Sequence, residues 1–173
     1  MNKMNLKLKY YASKYLPNIL TKHDTKYEKK QLDKSRKLYK KHKYYTRKYV
    51  KSYPHKVSPH ILRARKIYKL EHVIPSKELS QKTGCSISAL KKIESKGEGA
   101  YYSSGSRPNQ TAQSWGRARL ASAITGGKSA AVDFKILDEG CKHNKSKAYK
   151  LALKSVKKHG YGTRRVPKSK YLK

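Results

Sequence analysis

Apolar and aromatic residues recur at helical spacing through the N-terminal part of the chain. At about 100° per residue, one face of the segment 24–52 collects Tyr27, Leu38, Tyr45 and Tyr49. Asp24 or Thr25 can cap the start of such a helix, and Pro54 follows its end. The pattern therefore predicts one helix over residues 24–52.

A second group of helices is predicted around Pro59 and Gly84. Ser58 followed by Pro59 indicates a helix start, and the apolar pattern that begins there stops near Val73 to Pro75. Ser76 then caps a short helix, SKELSQKT, which breaks at Gly84 and resumes as SISALKKIESK before Gly97. Helix, glycine turn and helix at this spacing are typical of a helix-turn-helix, with small and apolar residues at the positions that lock the two helices: Leu79, Ser80, Gly84, Cys85, Leu90 and Ile93.

The helix-turn-helix pattern has two interpretations. If the element binds DNA, the residues offered to a major groove would be Ser86, Ser88, Lys91 and Lys92, with the lysines on phosphates. Alternatively, two short helices pack at an angle inside an α-helical domain and their lysines are simply solvated. The pattern is loose enough that both interpretations stay open.

The segment from Gly97 to Asp138 is nearly neutral within a very basic chain, and it contains the only Trp and the only Phe. AYYSSGSR predicts a short strand followed by a turn, and Thr111 predicts the cap of a helix that runs to Ile124 and ends at Gly126 and Gly127. Arg119 falls on the apolar side of that helix. We expect it to extend to the protein edge or to pair with a carboxylate such as Asp133.

A partner-binding role is the alternative for this segment. A polar loop beside several guanidinium groups and an aromatic anchor could grip phosphate or the carboxylates of a neighbouring subunit. The candidate partner-binding residues are Arg107, Trp115, Arg117 and Arg119.

The C-terminal part predicts one more helix and a tail. Asn144 or Ser146 can start the helix and Gly160 ends it, whereas 161–173 has too little to bury and is expected to be extended. We therefore predict a mainly α fold in which a small helical domain, 57–140, contains the helix-turn-helix-like element. Long basic arms flank it: a partly helical Tyr/Lys-rich arm, 1–56, and a basic C-terminal helix and tail, 141–173.

The charge of the chain limits the partners it can have. Lys and Arg number 44 against 10 Asp and Glu, a net charge of +34 in 173 residues. Such a charge favours polyanions or acidic protein surfaces as partners. No apolar run has the length of a signal peptide or a membrane span, and the two cysteines, Cys85 and Cys141, are expected to be reduced thiols.

Catalytic patterns are weak, so we expect no enzyme activity, no cofactor and no metal. The run SAITGGKS resembles the end of a phosphate-binding loop, but Ser122 replaces its first glycine and a helix precedes it where that loop needs a strand. Cys141 and His143 lack a second pair of metal ligands. Nothing in the sequence indicates a nucleophile, a base and an orienting group close together.

Three stretches carry a family resemblance: SKELSQKTGCSISALKKIESKGEGA, AYYSSGSRPNQT and SWGRARLASAITGGK. Together they resemble an uncharacterised family of proteins from nucleocytoplasmic large DNA viruses, the giant viruses of algae and amoebae. The resemblance implies a viral origin and no particular reaction.

Two functions are compatible with this origin. The first is a structural virion protein, a minor capsid component that lines or cements the inner capsid as part of a hetero-oligomeric assembly, found in the virion and inside the host cell during assembly. Its partners would be acidic surfaces of other capsid proteins. The second is a DNA-binding protein that condenses or recognises viral DNA. The first is favoured because the candidate recognition residues include no Arg, Asn or Gln for bidentate base contacts.

Overall fold

The protein is mainly helical. A computed structural model describes residues 9–161 and the backbone of 168–171. Two short strands pair near the chain ends, β1 (Lys9–Ala12) and β2 (Lys168–Tyr171), and a single 3₁₀ turn follows β1 at Ser13–Tyr15. Within the described residues the helices are α1 (Lys22–Tyr39), α2 (Pro59–Tyr68), α3 (Lys77–Thr83), α4 (Ile87–Ser103), α5 (Ala112–Ile124), α6 (Lys128–Val132), α7 (Phe134–Gly140) and α8 (Lys147–His159).

The predicted helix starts are confirmed at four positions. Each cap side chain accepts a hydrogen bond from a backbone N–H of the first helical turn, which satisfies a donor that the helix itself leaves open. The four caps are Ser58, Ser76, Thr111 and Ser146. The predicted extent of α5 is also confirmed, because it runs to Ile124 and the chain turns at Gly126.

The predicted helix over 24–52 is wrong at both ends, because its cap is Thr21, not Asp24 or Thr25, and it also ends much earlier than expected. α1 stops at Tyr39, and His42 adopts a left-handed conformation with φ 55°. Beyond this turn Arg47 and Val50 are buried, 8% and 2% exposed. The backbone N–H groups of Arg47 and Val50 donate to Tyr101 and Asn109, so these residues are held by contacts that a continued helix would not make.

Two further boundaries also differ from the prediction. α2 stops at Tyr68 because Lys69 is left-handed, and the apolar residues beyond it pack as a loop. α4 does not stop before Gly97 but continues to Ser103. The short strand expected at the start of AYYSSGSR is therefore the last turn of α4, in which Tyr101 is fully buried.

α4 continues through Gly97 because this glycine lies where α4 crosses α5. A Cβ atom on Gly97 would lie 2.6 Å from the Cα of Gly116, and one on Gly116 would lie 2.6 Å from the carbonyl oxygen of Glu94. Side chains cannot approach this closely. The two glycines thus let the helix backbones touch. The close packing requires glycine at both positions, although glycine has a poor helix propensity.

The buried apolar residues form two clusters. The larger one lies among α2 to α8 and includes fully buried Leu79, Leu90, Ile93, Leu120, Ile124 and Leu137. The smaller one belongs to the N-terminal segment and contains Tyr11, Leu16, Leu20, Leu32 and Val50. Leu32 on α1 meets the loop after α4, because a Cβ on Gly105 would lie 2.8 Å from it.

The two strands bring distant parts of the chain together. β1 and β2 are antiparallel, with Lys9 opposite Tyr171 and Ala12 opposite Lys168. The tail that the sequence predicts to be extended, 161–173, lies largely outside the described residues, as does the start of the predicted N-terminal arm.

The expectation of reduced thiols is wrong, because Cys85 and Cys141 form a disulfide. Cys85 lies in the turn between α3 and α4, and Cys141 follows α7. Their backbones are also paired: Ser86 N donates to Gly140 O at 2.7 Å, and Lys142 N donates to Gly84 O at 2.9 Å. The fold thus brings together two cysteines that are 56 residues apart.

Candidate partner-binding surfaces

Arg119 is held by a buried carboxylate, which is one of the two alternatives that the sequence left open. Its Nε and Nη2 donate to the two oxygens of Asp133 at 2.7 and 2.8 Å, and Lys96 Nζ donates to Asp133 Oδ1 at 2.8 Å. Burial alone would raise the pKa of Asp133, but these hydrogen bonds outweigh it and the pKa lies below its usual range. Most of the Arg119 guanidinium is therefore used inside the protein, where it joins α5 to the α6–α7 junction.

Arg117 is differently placed. Its side chain is half exposed, and its Nε lies 3.8 Å from Glu94 Oε1, which is longer than a hydrogen bond. The exposed guanidinium of Arg117 therefore has N–H donors available for a partner, whereas two donors of the Arg119 guanidinium are already bound to Asp133. Of the two guanidinium groups on α5, Arg117 is the better candidate for an external anion.

Trp115 lies in a cationic environment. It is partly buried, and Lys14 Nζ lies 5.4 Å from its ring centroid and 5.7 Å from that of Tyr15. Burial lowers the pKa of Lys14, and the positive charges of Arg107, Lys128 and Arg119 lower it further. Positive charges are thus gathered around an aromatic ring, where an anion would relieve their repulsion.

The loop between α4 and α5 holds the N-terminal segment of the same chain. Asn109, at φ 60°, accepts from Val50 N at 2.8 Å and donates to the carbonyl oxygens of Val50 and Tyr53 at 2.9 and 2.8 Å. Ser106 accepts from Arg47 Nη2 at 2.6 Å. The polar side chains of SSGSRPNQT that looked available to a partner are therefore partly engaged internally, whereas Arg107 is exposed.

Arg47 is the residue that sequence reasoning missed. It is 8% exposed, its Cζ lies 3.8 Å from the centroid of the Tyr101 ring, and its Nη1 donates to Tyr101 O at 2.8 Å. Its Nε lies 3.5 Å from Glu28 Oε1. Among many lysines and arginines in 1–56, the sequence pattern does not mark Arg47, because its partners lie 19 residues before it and more than 50 after it.

The four nucleic-acid candidates lie at the N-terminal half of α4. Ser86 caps the helix, and its Oγ accepts from Ala89 N at 3.1 Å. Ser88, Lys91 and Lys92 lie together along a shallow groove of about 570 Å³. The groove is lined in full by Ile87, Ser88, Lys91, Lys92, Ser95, Lys96 and Ile136.

This groove has basic walls and an apolar floor. Its lining contains three lysines and no carboxylate, although Lys96 also donates to Asp133. Ser86 contributes its side chain to helix capping and is not in the lining. The structure therefore brings three of the four candidates together and gives the fourth a structural role.

The described residues contain neither a metal cluster nor a membrane helix. Within 9–161, no three His, Cys, Asp or Glu side chains are grouped so that they could hold a metal ion. In the same part of the chain no helix combines the length and the apolar composition that crossing a membrane requires.

Comparison with known proteins gives a family and no activity. No curated protein matches the chain, and neither does any solved structure. A family model does match residues 12–145, which include α1 to α7, the disulfide and the surfaces described above. The chain belongs to this family, a family of unknown function designated DUF5824.

Proposed function

We propose that this protein is a structural component of a large DNA virus particle: a minor capsid protein that lines or cements the inner capsid. It works without catalysis, by placing basic surfaces against acidic surfaces of other capsid proteins. The observation that carries the proposal is the charge imbalance, since 10 acidic side chains can neutralise at most 10 of 44 cations. A chain with so much unneutralised charge needs an anionic environment.

The internal ion pairs support this proposal, because they use acidic residues without exhausting the basic ones. Asp133 is fully buried between Lys96 and Arg119, and Asp33 binds Lys9. Exposed cations remain on several elements, among them Lys91 and Lys92 on α4. These cations are available to acidic partner surfaces.

Zero-length cross-linking of purified particles tests the proposal. A carbodiimide joins lysine amines directly to carboxylates, so it reports contacts between this chain and acidic neighbours. We expect cross-links from exposed lysines to Asp and Glu of other capsid proteins, and none after the particles are dissociated in high salt. Absence of the chain from purified particles would contradict the proposal.

DNA binding is the second candidate, and the groove on α4 favours it. We infer that a helix-turn-helix-like arrangement of α3, the Gly84 turn and α4 would place Ser88, Lys91 and Lys92 against a duplex. Three lysines in a lining without carboxylates suit phosphates, whereas the lining offers no Arg, Asn or Gln for reading bases. Binding would therefore be largely independent of sequence.

A salt series on purified protein tests this second function. Replacing Lys91 and Lys92 by Gln should reduce the slope of log affinity against log salt by about 2, because each phosphate contact contributes about 0.9. The matched control replaces Lys147 and Lys150, which are exposed on α8. Equal slopes for the two double variants would exclude the groove, and a preference above roughly a thousandfold for one duplex sequence would favour a dedicated DNA-binding protein over a capsid component.

A further inference from the structure

The segment 43–51 has neither helical nor strand structure, yet its backbone is held at successive points by side chains. Gln31 Nε2 donates to Lys48 O at 3.1 Å, and Gln31 Oε1 accepts from Lys48 N. Asn109 makes the same pair of contacts with N and O of Val50. Two side-chain amides thus bind the backbone N–H and C=O groups of this segment, as the backbone of a neighbouring strand does in a sheet. We call residues 43–51 the clamped segment.

Arg47 fixes the same segment from inside the protein. Its backbone N donates to the hydroxyl of Tyr101 at 2.9 Å, while its guanidinium reaches Tyr101 O and Ser106 Oγ. The guanidinium also lies beside Glu28. Contacts from α1, α4 and the following loop therefore fix one irregular segment. The side chains that point outward from it are thus attached to a backbone that is already ordered.

The outward side chains are aromatic and basic. Tyr44 is 70% exposed and Tyr49 is 61% exposed, which leaves large apolar surface in water. Exposed lysines alternate with them at Lys43, Lys48 and Lys51. Tyr45 is different, because Lys34 Nζ already lies 4.4 Å from its ring centroid.

The Tyr44 ring is oriented by two other rings. Its centroid lies 5.0 Å from that of Tyr102 and 6.2 Å from that of Tyr39. These contacts fix the ring without covering it. An aromatic ring that is held in place and open to solvent can stack with a planar group at little entropic cost.

The charged residues of the clamped segment itself are all basic. The sequence contains no Asp or Glu between Asp33 and Glu71. Glu28 contacts the segment from the protein interior, where it is 1% exposed and faces Arg47, and Asp24 accepts from Ser52 N just beyond its end. The outer surface of the segment is thus suited to a polyanion that also carries planar apolar groups.

We propose that the clamped segment binds single-stranded nucleic acid, with unpaired bases stacking on Tyr44 and Tyr49 and phosphates held by Lys43, Lys48 and Lys51. Stacking on exposed aromatic rings beside a basic track is sequence-tolerant, because every base has a π face. Duplex DNA keeps its bases stacked internally and would use only the lysines. This activity goes beyond the particle function proposed above and does not depend on it.

Fluorescence anisotropy on the purified full chain tests the proposal. The probes are a labelled single-stranded DNA of mixed sequence and the duplex that contains it. We expect Tyr44→Leu and Tyr49→Leu each to weaken single-strand binding about tenfold, with duplex binding almost unchanged. Replacing Lys43 and Lys48 by Gln should weaken both complexes, since phosphates are common to them.

Tyr161→Leu is the matched control. Tyr161 is 75% exposed and packs edge-on against Phe134, away from the clamped segment, so its loss should leave single-strand affinity unchanged. The proposal is overturned if the Tyr44 and Tyr49 variants bind single strands as the wild type does. Equal weakening of single-strand and duplex binding by these variants would also overturn it.

Photo-cross-linking covers the case in which a variant fails to fold. A single strand carrying photoreactive thiothymidine is bound to the wild-type chain and irradiated. We expect the modified peptides to contain Tyr44 or Tyr49. Cross-links confined to other peptides would overturn the proposal and would leave the capsid proposal standing.

Discussion

Glu28 and Arg47 form a buried pair that joins α1 to the clamped segment and α4. Glu28 Oε2 accepts from Gln31 at 3.0 Å, whereas Glu28 Oε1 has no hydrogen-bond partner among the described residues. Burial raises the pKa of Glu28 to about 7, although Arg47 and Gln31 act to lower it. Ionisation of this one side chain is therefore costly in the folded protein.

The first prediction concerns Glu28→Gln. Because the pKa is raised in the folded state, the contribution of Glu28 to stability is complete below its ordinary value of 4.5 and is lost as pH rises through about 7. Gln does not ionise, so this loss is absent from the variant. The free energy of unfolding of the variant should therefore rise relative to that of the wild type between pH 5 and pH 8. Denaturant titrations across this range measure the difference. Glu139→Gln, exposed on α7, is the control, and a matching profile for both variants would contradict the prediction.

The second prediction separates the two arginines of α5. Arg119→Ala leaves Asp133, whose side chain is 0% exposed, with Lys96 alone, and should lower the free energy of unfolding by about 3 kcal/mol. Arg117→Ala removes an exposed side chain and should change it by less than about 0.5 kcal/mol. Chemical denaturation of both variants measures this. Similar values for the two would mean that the buried triad contributes little.

At the scale of the element, the crossing of α4 and α5 depends on the absence of side chains. A Cβ on Gly97 or Gly116 would clash with backbone atoms of the opposite helix, whereas a Cβ on Gly99 of α4 would meet only the Tyr39 hydroxyl, at 4.0 Å. The same helix thus contains one glycine that the packing requires and another that it does not.

The third prediction uses this contrast. Gly116→Ala forces its Cβ against the Glu94 carbonyl and should lower the free energy of unfolding by about 1–3 kcal/mol. Gly99→Ala meets open space and should raise it by up to about 1 kcal/mol, through helix propensity. Thermal denaturation of each variant gives the sign. Stabilisation by both substitutions would show that the helices can separate without cost.

Four helix starts were predictable from the sequence, whereas the ends of α1 and α4 were not, for one physical reason. Ser76 and Thr111 cap their helices through bonds to backbone groups three residues away, so the local sequence contains both partners. The end of α1 depends on Arg47 reaching Ser106, and the length of α4 depends on Gly97 meeting Gly116. Those partners are distant in sequence, and no periodic pattern connects them.

The candidate surfaces were likewise predictable only where a local sequence pattern marked the residue. Pairing of Arg119 with Asp133 could be offered as one of two alternatives because a single charged residue stood out on an apolar helix face. The clamped segment could not be recognised, because its order comes from Gln31 and Asn109, two ordinary polar residues on distant elements.

At the scale of the whole molecule, the Cys85–Cys141 disulfide closes a loop of 56 residues that contains α4 to α7. Cross-linking a loop of this length removes conformational freedom from the unfolded chain worth about 4 kcal/mol in the chain-entropy model. The bridge also joins the α3–α4 turn to the segment that leads into α8.

The fourth prediction follows from this bridge. Reduction should lower the free energy of unfolding by about 2–5 kcal/mol. Denaturation with and without a thiol reductant measures the effect, and thiol titration of the denatured chain confirms the oxidation state. A variant with Ser at both Cys85 and Cys141 should be insensitive to reductant; a reductant effect of the same size in that variant would contradict the assignment.

The pairing of β1 with β2 also determines how the protein would respond to force. Lys9 and Tyr171 lie opposite each other at the same end of an antiparallel pair, so tension applied through these two residues acts across the hydrogen bonds, not along the strands. The hydrogen bonds between the two strands would then break one after another, which requires less force than breaking them all at once. A load applied through Lys9 and Tyr171 would therefore separate the two strands first and leave the helical core and its cross-linked loop intact.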